Sequence, residues 1–529
     1  TRLAKVNPIE MMVRCSLDLG VPAIVSFELL DTLFFHGKRG MKVKFSTQED
    51  QWLKERSVLP SDVNTKYYTS LLHRYGVVTR RATELALSIA GYEIELMSIA
   101  EAQIHPYAPG IYLAIGNFGA YTAPYVSSDQ WASYISKYTK NTYRSRDSMI
   151  VQQSVLSLIV QLLKAKSVGE KGLQYLVAWS VFRQLMKYTV PNLLVGRSTK
   201  SAACYEHAKK AMRIAVTSPY YQTVVPRKSL EDVKTMLLNI RNAYAETFEN
   251  SSWVEGQDRF IALQKLFKMR SYVGSPERYL DPAYVEQLYK SFPNVPLNRL
   301  FPSWIKAMSL SCHQKWADRT THIFDETDVK AHYQPDFNLI VILTAIITRP
   351  LYYLEAPQAL NYGGLGMIVG HEIMHAYDAK GRSFDDEGEH RQWASRRFME
   401  KYRKRTLCLR RTYKLALRRR ARRDEVEDFT ESEILADHVG VKTAYKAFSS
   451  LPIMQRTQTL KGLNVSAERL FFISHCMKMC AEYSFQEGRL APKRLRCIVP
   501  LMNMQEFTNA FGCSGGQLMN PRKKCDFWS

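Results

Sequence analysis

Two histidines one helical turn apart, His371 and His375, stand in LGMIVGHEIMHAYDAKG, a stretch from Leu365 whose other residues are mostly apolar. Read as a helix, that spacing puts both imidazoles on one face with Glu372 beside them. Met367, Ile368, Val369 and Gly370 precede the pair, so the start of this helix is expected to be buried. The plain alternative is two surface histidines on an ordinary helix. A buried start weighs against it, because a buried imidazole needs a partner or a metal. Downstream, TESEILADHVGVKTAYKAF reads as a second helix with Thr430 as its cap, and Glu433 and Asp437 share one face of it.

These residue types in this pattern point to zinc chemistry. Zinc takes nitrogen donors in a tetrahedral site, and a catalytic site keeps one position for water. The expected metal set is His371, His375 and Glu433, holding one Zn2+ per chain. Asp437 is expected to accept a hydrogen bond from the far nitrogen of a zinc histidine, which fixes the ring's tautomer. Glu372 would take a proton from water and pass it to the leaving amine. An acidic pair on a helix is by itself usually a solvated face. Beside the two histidines and an Ile434–Leu435–Ala436 stripe it becomes part of a site.

At 529 residues the chain is too long for one simple core, and two or more packed units are expected. Up to about residue 290 the pattern is helical. TRRATELALSIAGYEIELMSIAEAQ repeats apolar residues around Leu85, Ile89, Ile94, Leu96 and Ile99, all expected in a core. SMIVQQSVLSLIVQLLKA, from Ser148, does the same, and another helix is expected to open at Ser229 as N-cap. Proline-bearing breaks in SPERYLDPAY and SFPNVPLNRLFP mark a hand-over between units. Beyond about residue 325, NLIVIL suits a buried strand, and QALNYGG reads as a loop into the histidine helix. The expected fold is mainly α with a small β part. Residues 1–290 would form a mostly helical lobe, and residues 291–529 a lobe carrying strand, histidine helix and carboxylate helix. No apolar run reaches the ~18–20 residues that cross a bilayer.

The net charge of +23 draws in part on KYRKRTLCLRRTYKLALRRRARRDE, from Lys401 to Glu425. Such a run reads first as a solvated helix face, with contact to a polyanion through Lys401–Arg423 as the alternative. No RNA- or DNA-binding signature accompanies it, so nucleic acid is not an expected partner. Nine cysteines are scattered without a zinc-ribbon pair, and Cys476 and Cys480 have helical spacing that suits a core. Asn250-Ser251-Ser252 and Asn464-Val465-Ser466 are glycosylation sequons, usable in a secretory protein.

LNYGGLGMIVGHEIMHAYDAKGRSFDDEG, EILAD and the terminal MNPRKKCDFW resemble the neprilysin and endothelin-converting-enzyme family. Weaker likeness runs back through WVEGQDRFIALQKL and Cys204. The resemblance implies a two-lobed fold, a helical cap lobe over a thermolysin-like catalytic lobe whose enclosed chamber admits short peptides. It implies cleavage on the amino side of hydrophobic residues, and an extracellular place, secreted or as the ectodomain of a single-pass membrane protein. It also implies the disulfides Cys15–Cys204 and Cys408–Cys525. Cys480 and Cys513 match positions whose family partners lie upstream of Thr1, so a missing N-terminal segment with a membrane anchor is expected. Cys312, Cys476 and Cys497 stay unassigned.

Site positions carry over one by one. Arg496 matches the arginine that orients the substrate carbonyl, and joins Glu372 and Asp437 as a candidate catalytic residue. Ala331 matches the substrate-aligning edge strand. Leu351, Tyr352, Ile368 and Met479, with Met367, match a hydrophobic primed-side pocket, and core packing reads equally well for Met367. Two positions depart from the family. Lys330 replaces an asparagine, and Leu490 stands where the family has its transition-state histidine. Losing one oxyanion donor typically costs ~100–1000-fold in turnover. His332, next to Ala331, is a nearby imidazole that could substitute. One reading is an active zinc metalloendopeptidase acting on short extracellular peptides. The other is a weakened family member that binds peptides or a partner without cutting. Retention of Glu372 favours the first.

Overall fold

A computed structural model describes residues 6–33, 38–104, 110–189, 200–294, 299–418, 430–480 and 491–528. The chain forms two compact units, Thr1–Val216 with Val285–Ile323, and Thr217–Tyr284 with Phe324–Ser529. This division differs from a single break near residue 290. Residues 217–284 belong with the histidine helix because Val233, Met236, Leu237 and Ile240 join the same core as Val369 and Ile373. Both units are mostly helical.

The first unit holds a four-stranded sheet: β1 (Val25–Leu33), β2 (Arg39–Phe45), β3 (Ile111–Ala114) and β4 (Ser148–Val151), in the order β1-β2-β4-β3. β2 and β4 run parallel, and the other pairs are antiparallel. Thr79–Gln103 is the expected helix, with Ile89 and Leu96 in the core. Ile94 is 55% exposed, so it is not a core residue. The segment from Ser148 begins as β4 rather than as helix, with Met149 and Val151 alternating into the sheet. Helix starts only at Gln153–Lys164, where Val155, Leu156, Ile159 and Leu162 take over the burial.

The second unit opens with α1 (Arg227–Glu249). Pro226 occupies its N-cap, and the expected cap Ser229 is buried inside the first turn. α2 (Gly256–Lys268) leads to β5 (Arg270–Val273), and β6 (Ala331–Gln334) and β7 (Leu339–Ile342) complete a sheet in the order β5-β7-β6. β5 and β7 are parallel, β6 and β7 antiparallel. All four residues of β7 are buried, as the aliphatic run predicts. Each such side chain contributes about 1.5–3 kcal/mol when fully buried. β6 is left as an edge strand of the described sheet.

QALNYGG is not a loop. Gln358–Asn361 is helical, and Tyr362–Gly366 forms a π turn that runs straight into α3 (Met367–Met374). The glycines permit this by close approach. A Cβ on Gly363 would stand 2.2 Å from the Phe471 carbonyl oxygen, and one on Gly364 2.4 Å from that of Leu351. The remaining helices used below are α4 (Arg396–Arg418), α5 (Thr430–Ser449), α6 (Ala467–Met477) and α7 (Lys493–Met502). Among the described residues no helix is long and apolar enough to cross a membrane.

Cys408 and Cys525 form the implied disulfide. Cys15 and Cys204 do not: Cys15 packs half-buried against the first unit's core, whereas Cys204 is exposed on the helix Lys200–Ala211. Burial pushes the Cys15 thiol up to about 11. The unassigned Cys476 and Cys497 pair with each other and tie α6 to α7, while Cys480 is exposed rather than in a core.

Candidate metal and catalytic site

α3 and α5 meet where both carry glycine. A Cβ on Gly370 would lie 2.6 Å from the Gly440 carbonyl oxygen, and one on Gly440 2.6 Å from the His371 nitrogen. Only glycine lets the two backbones touch there, and the contact sets Glu433 and Asp437, about two turns and one turn before Gly440, against His371. No periodicity in the sequence singles out this pair of glycines.

The three expected metal-binding side chains converge. Nε2 of His371 and Nε2 of His375 stand 3.1 Å apart. Glu433 places Oε2 3.3 Å from the first and Oε1 3.8 Å from the second. The opposite ring nitrogens are already bound: Nδ1 of His371 lies 3.0 Å from Asp437 Oδ1, and Nδ1 of His375 2.8 Å from Asp378 Oδ2. Burial disfavours a charged His371, but Asp437 and then Glu433 outweigh it and raise the imidazole to about 10. His375 is likewise raised against burial, by Asp378. The pocket is thus strongly electronegative.

Glu372 is buried next to this cluster. Its Oε2 accepts the Tyr333 backbone N–H at 2.9 Å, which couples it to β6. Burial raises its carboxyl above the ordinary range, with His371 and His375 opposing. Asp437 is 1% exposed. Burial alone would raise it, but Arg496 and the His371 bond hold it well below the usual carboxylate range. Arg496 donates Nε to Asp437 Oδ2 at 2.6 Å and its second terminal nitrogen to Oδ1 at 2.8 Å. The guanidinium fork therefore acts on His371 through Asp437. Its neighbour Cys497 fixes α7 to α6.

Asp378 is a further part of the site, not singled out from the sequence. Its signal was the one-turn spacing from His375. Oδ1 of Asp378 accepts the N–H groups of Lys380 and Gly381 at 2.8 and 2.7 Å, leaving Oδ2 for the histidine. Gly381 has no room for a side chain, since a Cβ would lie 1.8 Å from the His375 carbonyl oxygen. Lys265 of α2, fully buried, closes this turn by donating to the Gly381 and Phe384 carbonyls at 2.6 and 2.7 Å.

The expected substrate contacts sort unevenly. Ala331 begins the edge strand β6, and Ile368 and Leu351 are half-buried against the core. Met479 is half-buried just beyond α6. Tyr352 is 3% exposed with its hydroxyl donating to Asp232 at 2.9 Å, and Met367 is 1% exposed. Lys330 is exposed. His332 does not reach the cluster. It packs edge-on to Phe324, and its Nε2 lies 3.2 Å from the Gln334 amide nitrogen. Leu490 lies outside the described residues.

Two models of peptidase family M13 match residues 46–276 and 330–527. The chain belongs to peptidase family M13. Neprilysin-1 of Trittame loki is 30% identical over 348 residues, 61% of this chain and 48% of that protein. Endothelin-converting enzyme 1 of Bos taurus is 27% identical over 340 residues, 61% of this chain and 45% of that protein. The chain thus spans about half the length of the curated relatives it matches. In structure, the Mycobacterium tuberculosis zinc metalloprotease Zmp1 in its open state superposes with a TM-score of 0.75 at 17% identity, over all of this chain and 86% of that one. PepO of Lactobacillus rhamnosis gives 0.65 at 17% identity, over 99% and 85%. At that identity these two share the fold with this M13 chain.

Proposed function

We propose that this chain is a zinc metalloendopeptidase that cuts short extracellular peptides on the amino side of hydrophobic residues. The observation that carries the reading is the convergence of two imidazole Nε2 atoms and one carboxylate, with both Nδ1 atoms occupied by aspartates. Donors ~2.0–2.1 Å from a tetrahedral zinc stand roughly 3.3 Å from one another. The spacings of 3.1 and 3.3 Å are close to that figure, the 3.8 Å from His375 to the other Glu433 oxygen is longer, and a set of two nitrogens and one carboxylate suits the ion. His371, His375 and Glu433 would hold it, one per chain. When bound, zinc supplies a Lewis acid that polarises the scissile carbonyl and makes water a stronger acid.

The remaining chemistry belongs to the chain's own side chains. Glu372 takes a proton from the attacking water on its carboxylate and delivers it to the leaving amine nitrogen. Burial raises its carboxyl, the direction that suits a group that must both accept and donate a proton. Asp437 and Asp378 keep the histidines in the Nδ1–H tautomer, and Arg496 keeps Asp437 ionised. Ala331, at the exposed edge of β6, offers backbone groups to an extended peptide, with Ile368, Leu351 and Met479 as candidate side-chain contacts. The two disulfides suit an oxidising, extracellular setting.

The test is chelator-sensitive hydrolysis of short fluorogenic peptides, with Glu372→Gln as the blank and zinc content measured per chain. Turnover that is lost with chelator and in the variant supports the peptidase. Folded, zinc-loaded protein without turnover would favour a peptide-binding role instead, the reading suggested by Lys330 and Leu490, and Leu490→His is then the rescue to attempt.

A further inference from the structure

Within α4 the basic run resolves into two classes of residue, and its residues 419–425 lie outside the described residues. Phe398, Tyr402, Leu409 and Tyr413 lie on one side of the helix and are buried in the core. Several cations are used within the unit. Arg396 pairs with Glu400 at 3.3 Å, Arg397 and Lys401 share Glu255 at 3.4 Å, and Arg410 approaches Glu431 at 3.8 Å. Arg405 stacks over the Trp253 ring at 4.7 Å. Arg403, Lys404, Arg411 and Lys414 remain, all exposed and without an acidic partner among the described residues. At 3.6 residues per turn these four fall within about 100° of one another around the axis and span roughly 17 Å.

We propose that this stripe is a docking site for a linear sulfated polysaccharide. Arg403, Lys404, Arg411 and Lys414 form a row of charge with no acidic partner among the described residues, which a chain of repeated anionic groups complements and a point anion would not fill. Guanidinium forks suit oxyanions with paired oxygens. A bilayer is the weaker occupant. The apolar face that would enter lipid is already buried in the protein, and what remains outside is charge interrupted by only Leu407 and Leu415. The stripe shares no residue with the proposed metal set, so binding there is expected to localise the protein.

The experiment uses the whole chain and heparin as the probe, with dissociation constants measured across a salt series. Two variants of equal net charge are compared: Arg403, Lys404, Arg411 and Lys414 changed to Glu, and the exposed Arg74, Lys171, Lys234 and Lys461 changed to Glu. The stripe variant is expected to bind at least ~10-fold more weakly and to lower the slope of log Kd against log salt by roughly three, by counterion release. The control variant should change that slope by less than one. Equal losses in both variants would reduce the effect to net charge and overturn the proposal. So would stripe-dependent binding to phosphatidylserine vesicles or duplex DNA without binding to heparin.

Discussion

Each unit buries a cluster of charge, and the two clusters are built to opposite ends. In the first unit Glu93 accepts the indole N–H groups of Trp52 and Trp179 at 2.7 and 2.9 Å and the Tyr68 hydroxyl. Beside it, Arg183 donates to Glu49 at 2.6 Å, and Ser180 takes the other Glu49 oxygen. Every carboxylate oxygen there is engaged, so no acceptor is left to hold a cation. In the second unit Asp437 and Asp378 are saturated in the same way, but they are spent on the rear of two histidines. The front nitrogens and the Glu433 carboxylate instead face one another, at 3.1 to 3.8 Å. Burial of charge therefore does not by itself mark a site. Converging acceptors whose supports are already satisfied do.

Glu372→Gln should break the comparison at its most sensitive point. It leaves the metal set intact and removes the proton acceptor, so kcat is expected to fall about 100–10,000-fold with zinc content unchanged. Zinc lost together with activity would show that Glu372 is structural. Removing the rear supports comes next. Asp378→Ala and Asp437→Ala should each weaken zinc binding about 10–100-fold, read by competition with a chromogenic chelator. Asp437→Ala also strands the Arg496 guanidinium, so it should cost about 3–5 kcal/mol in stability. Affinity unchanged in both variants would mean that the aspartates do not orient the rings.

The same contrast explains what could be read from the sequence. His371, Glu372, His375, Glu433 and Asp437 were legible because each helix displays its residues at a period of 3.6, and one spacing names a face. β7 was legible because a strand buried on both faces is a continuous aliphatic run. Gly370 and Gly440 were not, since the contact joins positions 70 residues apart and glycine has no side chain to form a pattern. The π turn at Tyr362 is hidden in the sequence because glycines more often mark turns than tight helix contacts. Ile94 shows the limit of periodicity from the other side, as it keeps helical spacing yet faces solvent. Cys15 and Cys204 show the limit of resemblance, which supplies a pairing without the distance that a bond requires.

Titration gives the two clusters opposite signs. Glu93→Gln should cost about 1–3 kcal/mol of stability, since an amide cannot accept at both ends from the surrounding indoles and phenol, and zinc affinity should not move. Burial, opposed by Arg183, raises Glu93 above its unfolded value, so its stabilising share is full below about pH 4 and is lost as pH rises through its folded pKa. Asp437 is lowered, so its share is full above its unfolded pKa of about 4 and is lost only as pH falls toward the folded one. Thermal unfolding of parent, Glu93→Gln and Asp437→Asn, all chelated, should separate the two between pH 7 and pH 3. The Glu93→Gln penalty should grow on acidification, and the Asp437→Asn penalty should shrink below about pH 4, each by no more than about 1.4 kcal/mol per pH unit. Parallel slopes would mean that both clusters serve the same purpose, and would remove the distinction between a charge network that closes a core and one that holds a metal.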